Sequence, residues 1–356
     1  MIESLNIGNL SIPLPLIQGG MGVGISLSGL AAAVANQGGV GVISSAGLGL
    51  LYDRTSPDYG QACINGMREE LRKAREKSSG VIGVNIMVAM SNFADMVRTS
   101  IAEKADIIFS GAGLPLDLPG FLKADSATKL VPIVSSARAA KIICEKWIRN
   151  YRYPPDAIVV EGPKAGGHLG FKPEQIDDAD YALEKLVPEV VREVAQVEQG
   201  QDRTIPVIAA GGIYSGRDIS DIIKLGASGV QMATRFVTTT ECDAAPAFKQ
   251  AYIDAQRSDI EIIKSPVGMP GRAIGSRFLE QVKQGLTKPA VCPIKCIRTC
   301  DIAKSPYCIM EALLSAFRGN FDNGYAFAGT NAFRATGITT VKELVQTLMS
   351  EYAACT

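Results

Sequence analysis

The chain has 356 residues, enough for one large domain or a domain with an appendage. It is 47% hydrophobic and 20% charged, so a sizeable core can be buried, and 36 Lys+Arg against 36 Asp+Glu leave no net field favouring nucleic acid or an anionic membrane. The apolar stretch from Leu10 to Leu51 is broken by Gly, Pro, Ser and Asn, which excludes a membrane span there. No signal peptide is visible, and eight cysteines scattered along so large a chain read as reduced thiols in a cytoplasmic protein.

Short, β-rich apolar runs recur at 15–18, 40–44, 81–86, 107–110, 130–134, 157–160, 206–209 and 229–232. They are apolar throughout, as strands covered on both faces are. Helical stripes lie between them. Ala139, Ala140, Ile143, Cys144, Trp147 and Ile148 form one; Leu183, Leu186, Val187, Val190, Val194 and Val197 form another; Ile219, Ile222 and Ile223 follow Ser215, an N-terminal cap. Eight strands alternating with helices predict a TIM-type (β/α)8 barrel over residues 1–237. The competing open doubly wound sheet has fewer strands and a GxGxxG turn followed by an acidic ribose contact, which fits less well. Residues 238–356 read as a mainly helical lobe, with loops at 265–275 and 319–329. In the last helix Thr340 and Glu343 form a capping box, and Val341, Leu344, Val345, Leu348 and Tyr352 make one face.

Four constellations carry chemistry. Gly19, Gly20, Gly22 and Gly24 follow the first strand, where missing side chains let a planar ring or an anion approach the main chain. Gly211 and Gly212 follow the seventh strand, and Gln231, Met232, Ala233 and Thr234 end the eighth. In barrels these two loops often hold a phosphate on backbone N–H groups and a helix N-terminus, here the helix opened by Ser215. The only histidine, His168, follows the sixth strand within Glu161-Gly-Pro-Lys-Ala-Gly-Gly-His168, with Glu161 and Lys164 nearby; histidine is the commonest general acid or base. Finally, Cys292, Cys296, Cys300 and Cys308 fall within 17 residues. If 292–300 were one helix, Cys292 and Cys300 would stand about 12 Å apart along the axis, too far to share a zinc ion. Buried free thiols are the reading, with no metal expected.

The segments QGGM (18–21), GVNIM (83–87), SGAGLP (110–115), VVEGPKAGGHLG (159–170), IPVIAAGGI (205–213) and GVQMATRFV (229–237) resemble, in order, the nitronate monooxygenase (2-nitropropane dioxygenase-like) family and its close relative enoyl-ACP reductase II. The resemblance implies a barrel binding FMN non-covalently, with a smaller helical lobe over the flavin. Gly20, Met21 and Gly22 would lie along the isoalloxazine ring, and Asn85 would contact the ring or ribityl chain. Glu161 stands where relatives often have Gln. Gly166, Gly212, Gln231, Met232, Ala233 and Thr234 would surround the FMN tail, with Lys164, Gly167 and Gly211 beside them, and His168 matches the family's catalytic histidine. The Tyr/Lys pattern of one bacterial nitronate monooxygenase class is not evident, and the cysteine segment lies outside the family pattern.

Three functions stay open at this point. One is FMN-dependent oxidative denitrification of alkyl nitronates with O2. A second is NAD(P)H-dependent reduction of an enoyl thioester, for which Lys283, Lys288, Lys295 and Arg298 would offer an acyl carrier a basic patch if they are not simply a solvated helical face. The third is a non-catalytic flavin-binding redox sensor. The expected partners are small-molecule substrates, with a homodimer as the expected assembly.

Overall fold

The computed structural model describes residues 2–199, 203–289, 292 and 294–355. Its strands in chain order are β1 (Leu5–Ile7), β2 (Leu10–Ile12), β3 (Leu16–Gln18), β4 (Gly41–Ser44), β5 (Ile82–Met87), β6 (Ile107–Gly111), β7 (Lys129–Val134), β8 (Ile158–Glu161), β9 (Gly167–His168), β10 (Val207–Ala210), β11 (Gly229–Met232), β12 (Ile260–Lys264) and β13 (Pro270–Ile274). Each of the eight apolar runs is a strand, and together they form one parallel sheet in the order β3-β11-β10-β8-β7-β6-β5-β4. The two ends meet where Gln18 N donates to Val40 O and Val40 N donates to Leu16 O, each at 2.9 Å. The result is a (β/α)8 barrel.

Side-chain alternation divides the core in two. Ile17, Val42, Ile107, Phe109, Val131, Val159 and Ile208 point into the barrel, and Leu5, Ile7 and Ile12 of the β1–β2 hairpin pack into the same cluster. The alternate strand residues, among them Leu16, Ile43, Val84, Ile108, Leu130 and Val160, meet the surrounding helices in a second cluster. The helix Ala137–Tyr151 lays Ala140, Ile143, Cys144 and Trp147 on this surface, capped by Ser136 Oγ, which accepts from Ala139 N at 3.2 Å. The Ser215 cap and the Thr340–Glu343 capping box also form as the sequence indicates.

The region after the barrel is less helical than its composition suggests. β12 and β13 form an antiparallel hairpin, and β9 joins it, giving the order β12-β13-β9. Residues 270–274, expected as loop, are therefore a strand. The Ile260–Lys264 run is only five residues long, and it gains its partners from this pairing rather than from a strong periodicity of its own. The last helix, Val341–Ala353, returns to the barrel and packs against the helices Gly216–Lys224 and Ser28–Asn36. Among the described residues no helix is long and apolar enough to cross a membrane.

Candidate active site

All eight barrel strands deliver their C-terminal ends to one cavity of about 410 Å³. This is the end at which barrel enzymes carry their sites. The residues expected to carry the chemistry or hold the cofactor line it: Gly20, Met21, Gly22, Asn85, Glu161, Lys164, Gly166, Gly167, His168, Gly211, Gly212, Gln231, Met232, Ala233 and Thr234; Gly24 of the glycine loop does not.

The glycine loop after β3 is held in place before any ligand arrives. Ser26 Oγ accepts from Met21 N at 2.8 Å. Gln18, fully buried, accepts from Val42 N at 3.0 Å and donates to Gly19 O at 2.5 Å. Beyond the loop, the helix Ser28–Asn36 starts on two remote carboxylates: Asp243 accepts from Leu27 N at 2.8 Å, and Glu70 from Ser28 N at 2.6 Å. A Cβ on Gly20 would lie 2.4 Å from Asn85 Cβ, so β5 can approach this loop only because the residue is glycine.

Gly211 and Gly212 leave β10 with φ of +95° and +88°, a conformation glycine adopts without strain. Asn331 Nδ2 donates to Gly212 O at 2.6 Å, and no protein acceptor takes the N–H of either glycine among the described residues. The helix expected to add its N-terminus here is already committed. Asp218 accepts from Tyr214 N and Ser215 N at 2.9 and 2.8 Å, and Glu351 from Gly216 N at 2.7 Å. An anion at this corner would therefore depend on the two glycines and on the β11 exit at Ala233–Thr234, not on the helix opened by Ser215.

His168 sits on β9, paired with Gly271 of β13. Its Nε2 lies 2.7 Å from the buried Ser265 Oγ, and its ring meets Phe327 edge-on at 5.0 Å. Burial pushes its pKa down to about 4, so the imidazole is neutral at pH 7. Behind the loop, buried Arg272 on β13 donates from Nη1 to Pro163 O and to Ala165 O, the latter at 2.8 Å. Glu161 ends β8 with its carboxyl toward the cavity, and burial alone pushes it up to about 7. Lys164 turns to the rim, 3.9 Å from Glu184.

Several residues of the site stand outside the sequence motifs: Ser265 beside the cavity, and Met269 and the run Phe327–Asn331 lining it. The small, polar AGTN tetrad (328–331) inside a longer loop is the signal that could have found the last. Over its described residues the cysteine segment is not a helix. Ser91 N donates to Cys296 O and Arg298 N to Ala89 O, both at 3.0 Å, so the segment docks as irregular backbone on the loop after β5 and turns Ile297 into the cavity. The helical spacing used to exclude a shared metal therefore does not apply. Among the described residues no group of three or more His, Cys, Asp or Glu is arranged to hold a metal ion, and all eight cysteines are free. The four basic residues considered for an acyl carrier do not share one helix, and Lys283 is paired with Glu261 and Glu280 at 2.7 and 2.8 Å.

Comparison with known proteins agrees with this arrangement. The family model for nitronate monooxygenase matches residues 3–351. A probable nitronate monooxygenase of Staphylococcus aureus is 29% identical over 313 residues, covering 77% of this chain and 79% of that protein. FabK from Thermotoga maritima superposes with a TM-score of 0.72 at 25% identity, over 96% of this chain and 94% of its own. A nitroalkane oxidase from Streptomyces ansochromogenes shares the fold, with a TM-score of 0.73 at 22% identity and 97% of each chain covered.

Proposed function

The chain belongs to the nitronate monooxygenase family, and we propose that it is an FMN-dependent oxidoreductase that oxidises alkyl nitronates with O2. Members of this family are flavoproteins, and the enzyme class of this chain is a flavin-dependent oxidoreductase. The cavity suits the cofactor: its volume lies in the range of small-molecule sites, and a Cβ on Gly20 would disturb its wall. Gly20, Met21, Gly22 and Asn85 would hold the ring; Gly166, Gly167, Gly211, Gly212, Gln231, Met232, Ala233 and Thr234 would hold the tail; Glu161 and Lys164 would complete the site. When bound, the flavin supplies the electron chemistry.

The residues of the chain orient and exclude. His168 is the group placed to meet substrate. As a neutral imidazole fixed by Ser265 it can accept a proton from a nitroalkane carbon or donate a hydrogen bond to a nitronate oxygen. Met269, Phe327, Ile309, Met310 and Leu313 give the cavity apolar walls that exclude water. We propose that residues 238–356 supply this cover as a lobe distinct from the barrel of 1–237.

The observation that carries the reading beyond family membership is the state of His168. With a pKa of about 4, only about one molecule in a thousand holds the imidazolium at pH 7. That favours a neutral hydrogen-bond donor to the nitronate oxygens, a role that needs no proton transfer, over the proton-delivering acid that an enoyl reductase would ask of the same residue. The reductase remains the second reading because the FabK neighbour fits it.

A stopped-flow series under nitrogen separates them. Bleaching of the yellow protein by propyl nitronate alone is expected. Bleaching by NAD(P)H followed by reoxidation with crotonyl thioester would transfer the assignment to the reductase, and no bleaching by either would leave a flavin-binding sensor. Replacing His168 with Ala should retain flavin and lose turnover. FMN rather than another flavin, NAD(P)H under the second reading, a homodimer and a cytoplasmic location belong to the same proposal on the sequence reading alone.

A further inference from the structure

Glu161 is, among the described residues, an acid without a side-chain partner, in a cavity whose one lysine, Lys164, turns to the rim. Its strand neighbours offer no charge: β10 places Ala210 beside it in register, and Val134 and Ser135 follow on the β7 side. The surrounding elements hold few ionisable groups, and none answers it. Lys164, in the loop that follows, reaches out to Glu184 on the helix Leu183–Glu198. His168 on β9 is neutral and engaged by Ser265. Arg272 on β13 spends Nη1 on two backbone carbonyls, and the acid whose charge bears on it is Asp177. Among the described residues no hydrogen bond reaches the Glu161 carboxylate. A structural carboxylate would be paired or capped, as Asp243, Glu70 and Asp218 are in the same fold.

We propose that Glu161 is the proton acceptor coupled to reduction of the flavin: its carboxylate takes up one solvent proton when the cofactor in this cavity gains two electrons. The inference rests on the flavin reading above. The balance is simple. Oxidised flavin takes two electrons and one proton to give a reduced flavin with one negative charge, and Glu161 goes from carboxylate to carboxylic acid with a second proton. With the Lys164 ammonium turned to the rim, protonating the unpaired carboxylate is the direct way to remove like-charge repulsion inside the cavity. Because burial holds the group at about 7, it is mostly ionised at pH 8 and has a proton to gain.

The test is potentiometry on the holoenzyme between pH 7.5 and 9. One proton per two electrons shifts the midpoint potential by about 30 mV per pH unit, and two protons by about 60 mV. The wild type should follow the steeper line and Glu161→Gln the shallower one. Proton uptake on dithionite reduction at pH 8, read with an indicator dye, should be one proton per flavin larger in the wild type. Glu161→Ala replaces the glutamine variant if that protein does not retain flavin. Parallel potential lines and equal uptake would overturn the role of Glu161. If neither variant holds flavin, uptake of two protons by the wild type with the visible spectrum of anionic reduced flavin upholds the proposal, and uptake of one overturns it. Protein that is colourless and cannot be reconstituted with FMN or FAD would instead refute the flavin reading, a distinguishable failure.

Discussion

Replacing Ser265 with Ala should cost turnover without costing the cofactor. Ser265 Oγ is the one side-chain partner of His168 Nε2, at 2.7 Å in a site that is 2% exposed at the serine. The serine lies in a tight turn, where Ser265 N donates to Met269 O and Gly268 N donates to Ser265 O, each at 3.0 Å. These are backbone bonds and survive the substitution, so the β12–β13 hairpin should keep its shape. What is lost is the bond that fixes the imidazole, together with a long 3.4 Å bond from Val267 N to the same hydroxyl. Leaving a buried ring nitrogen without it costs about 1–3 kcal/mol, which corresponds to a loss of about 5- to 160-fold in kcat/KM if the productive orientation is the one seen here. The assay is steady-state oxidation of propyl nitronate, with flavin content read from the visible spectrum. The wild-type profile gives a second readout. Because burial lowers the His168 pKa to about 4, activity should hold through pH 6.5 and fall only as the pH approaches 4. Full activity in Ser265→Ala, or an acid limb near 6.5 in the wild type, would refute the argument that His168 works as a buried, serine-held neutral imidazole.

Three further expectations follow from the same geometry. Gly20→Ala places a Cβ 2.4 Å from Asn85 Cβ, so the loop must move and the purified protein should lose most of its flavin; a variant with full visible absorbance would show that the loop does not grip the ring. In flavin-free protein Glu161 carries a cost whose sign is set by its raised pKa: the folded state holds its proton between about 4.5 and 7, so the cost is absent below that window and complete above it. Glu161→Gln should therefore raise Tm at pH 8 by up to about 4 °C, from about 3 kcal/mol before screening by cavity water, and leave Tm unchanged at pH 4; an equal shift at both would refute the linkage. Arg272→Met strips the carbonyls of Pro163 and Ala165 of a buried donor, and amide exchange across 163–168 should rise while the barrel strands keep their protection.

The barrel was readable because its information is local. An apolar run bounded by Gly, Ser or Asn needs no distant partner to be recognised, and each of the eight runs is a strand. The glycine sites were readable for the same reason, since a missing side chain marks a place where something approaches. The hairpin that packs into the barrel core was missed, yet it was legible: LNI and LSI alternate about Gly8-Asn9, a strong two-residue turn signal. The remaining features could not be read this way. β9 is two residues long and exists only because β13, about a hundred positions later, pairs with it. Ser265 reaches His168 across 97 residues, and Asn331 reaches Gly212 across 119. Periodicity carries no information on such pairs, so the machinery that orients the histidine was invisible while the histidine itself stood out.

The cysteine segment shows how a sound rule fails on a wrong premise. Helical spacing would have separated Cys292 from Cys300, but the backbone from 294 to 300 is irregular, pinned by Cys296 O and Arg298 N to the loop after β5. Cys296 and Cys308 end in one apolar cluster with Val23, Leu50 and Met310, facing the glycine loop, and burial pushes the Cys296 thiol up to about 12. A thiol so raised is neutral and a poor nucleophile. Its contribution is volume: it backs the wall that presents Ile297 and Met310 to the cavity. One wall of the cavity is thus set from behind by packing in this segment.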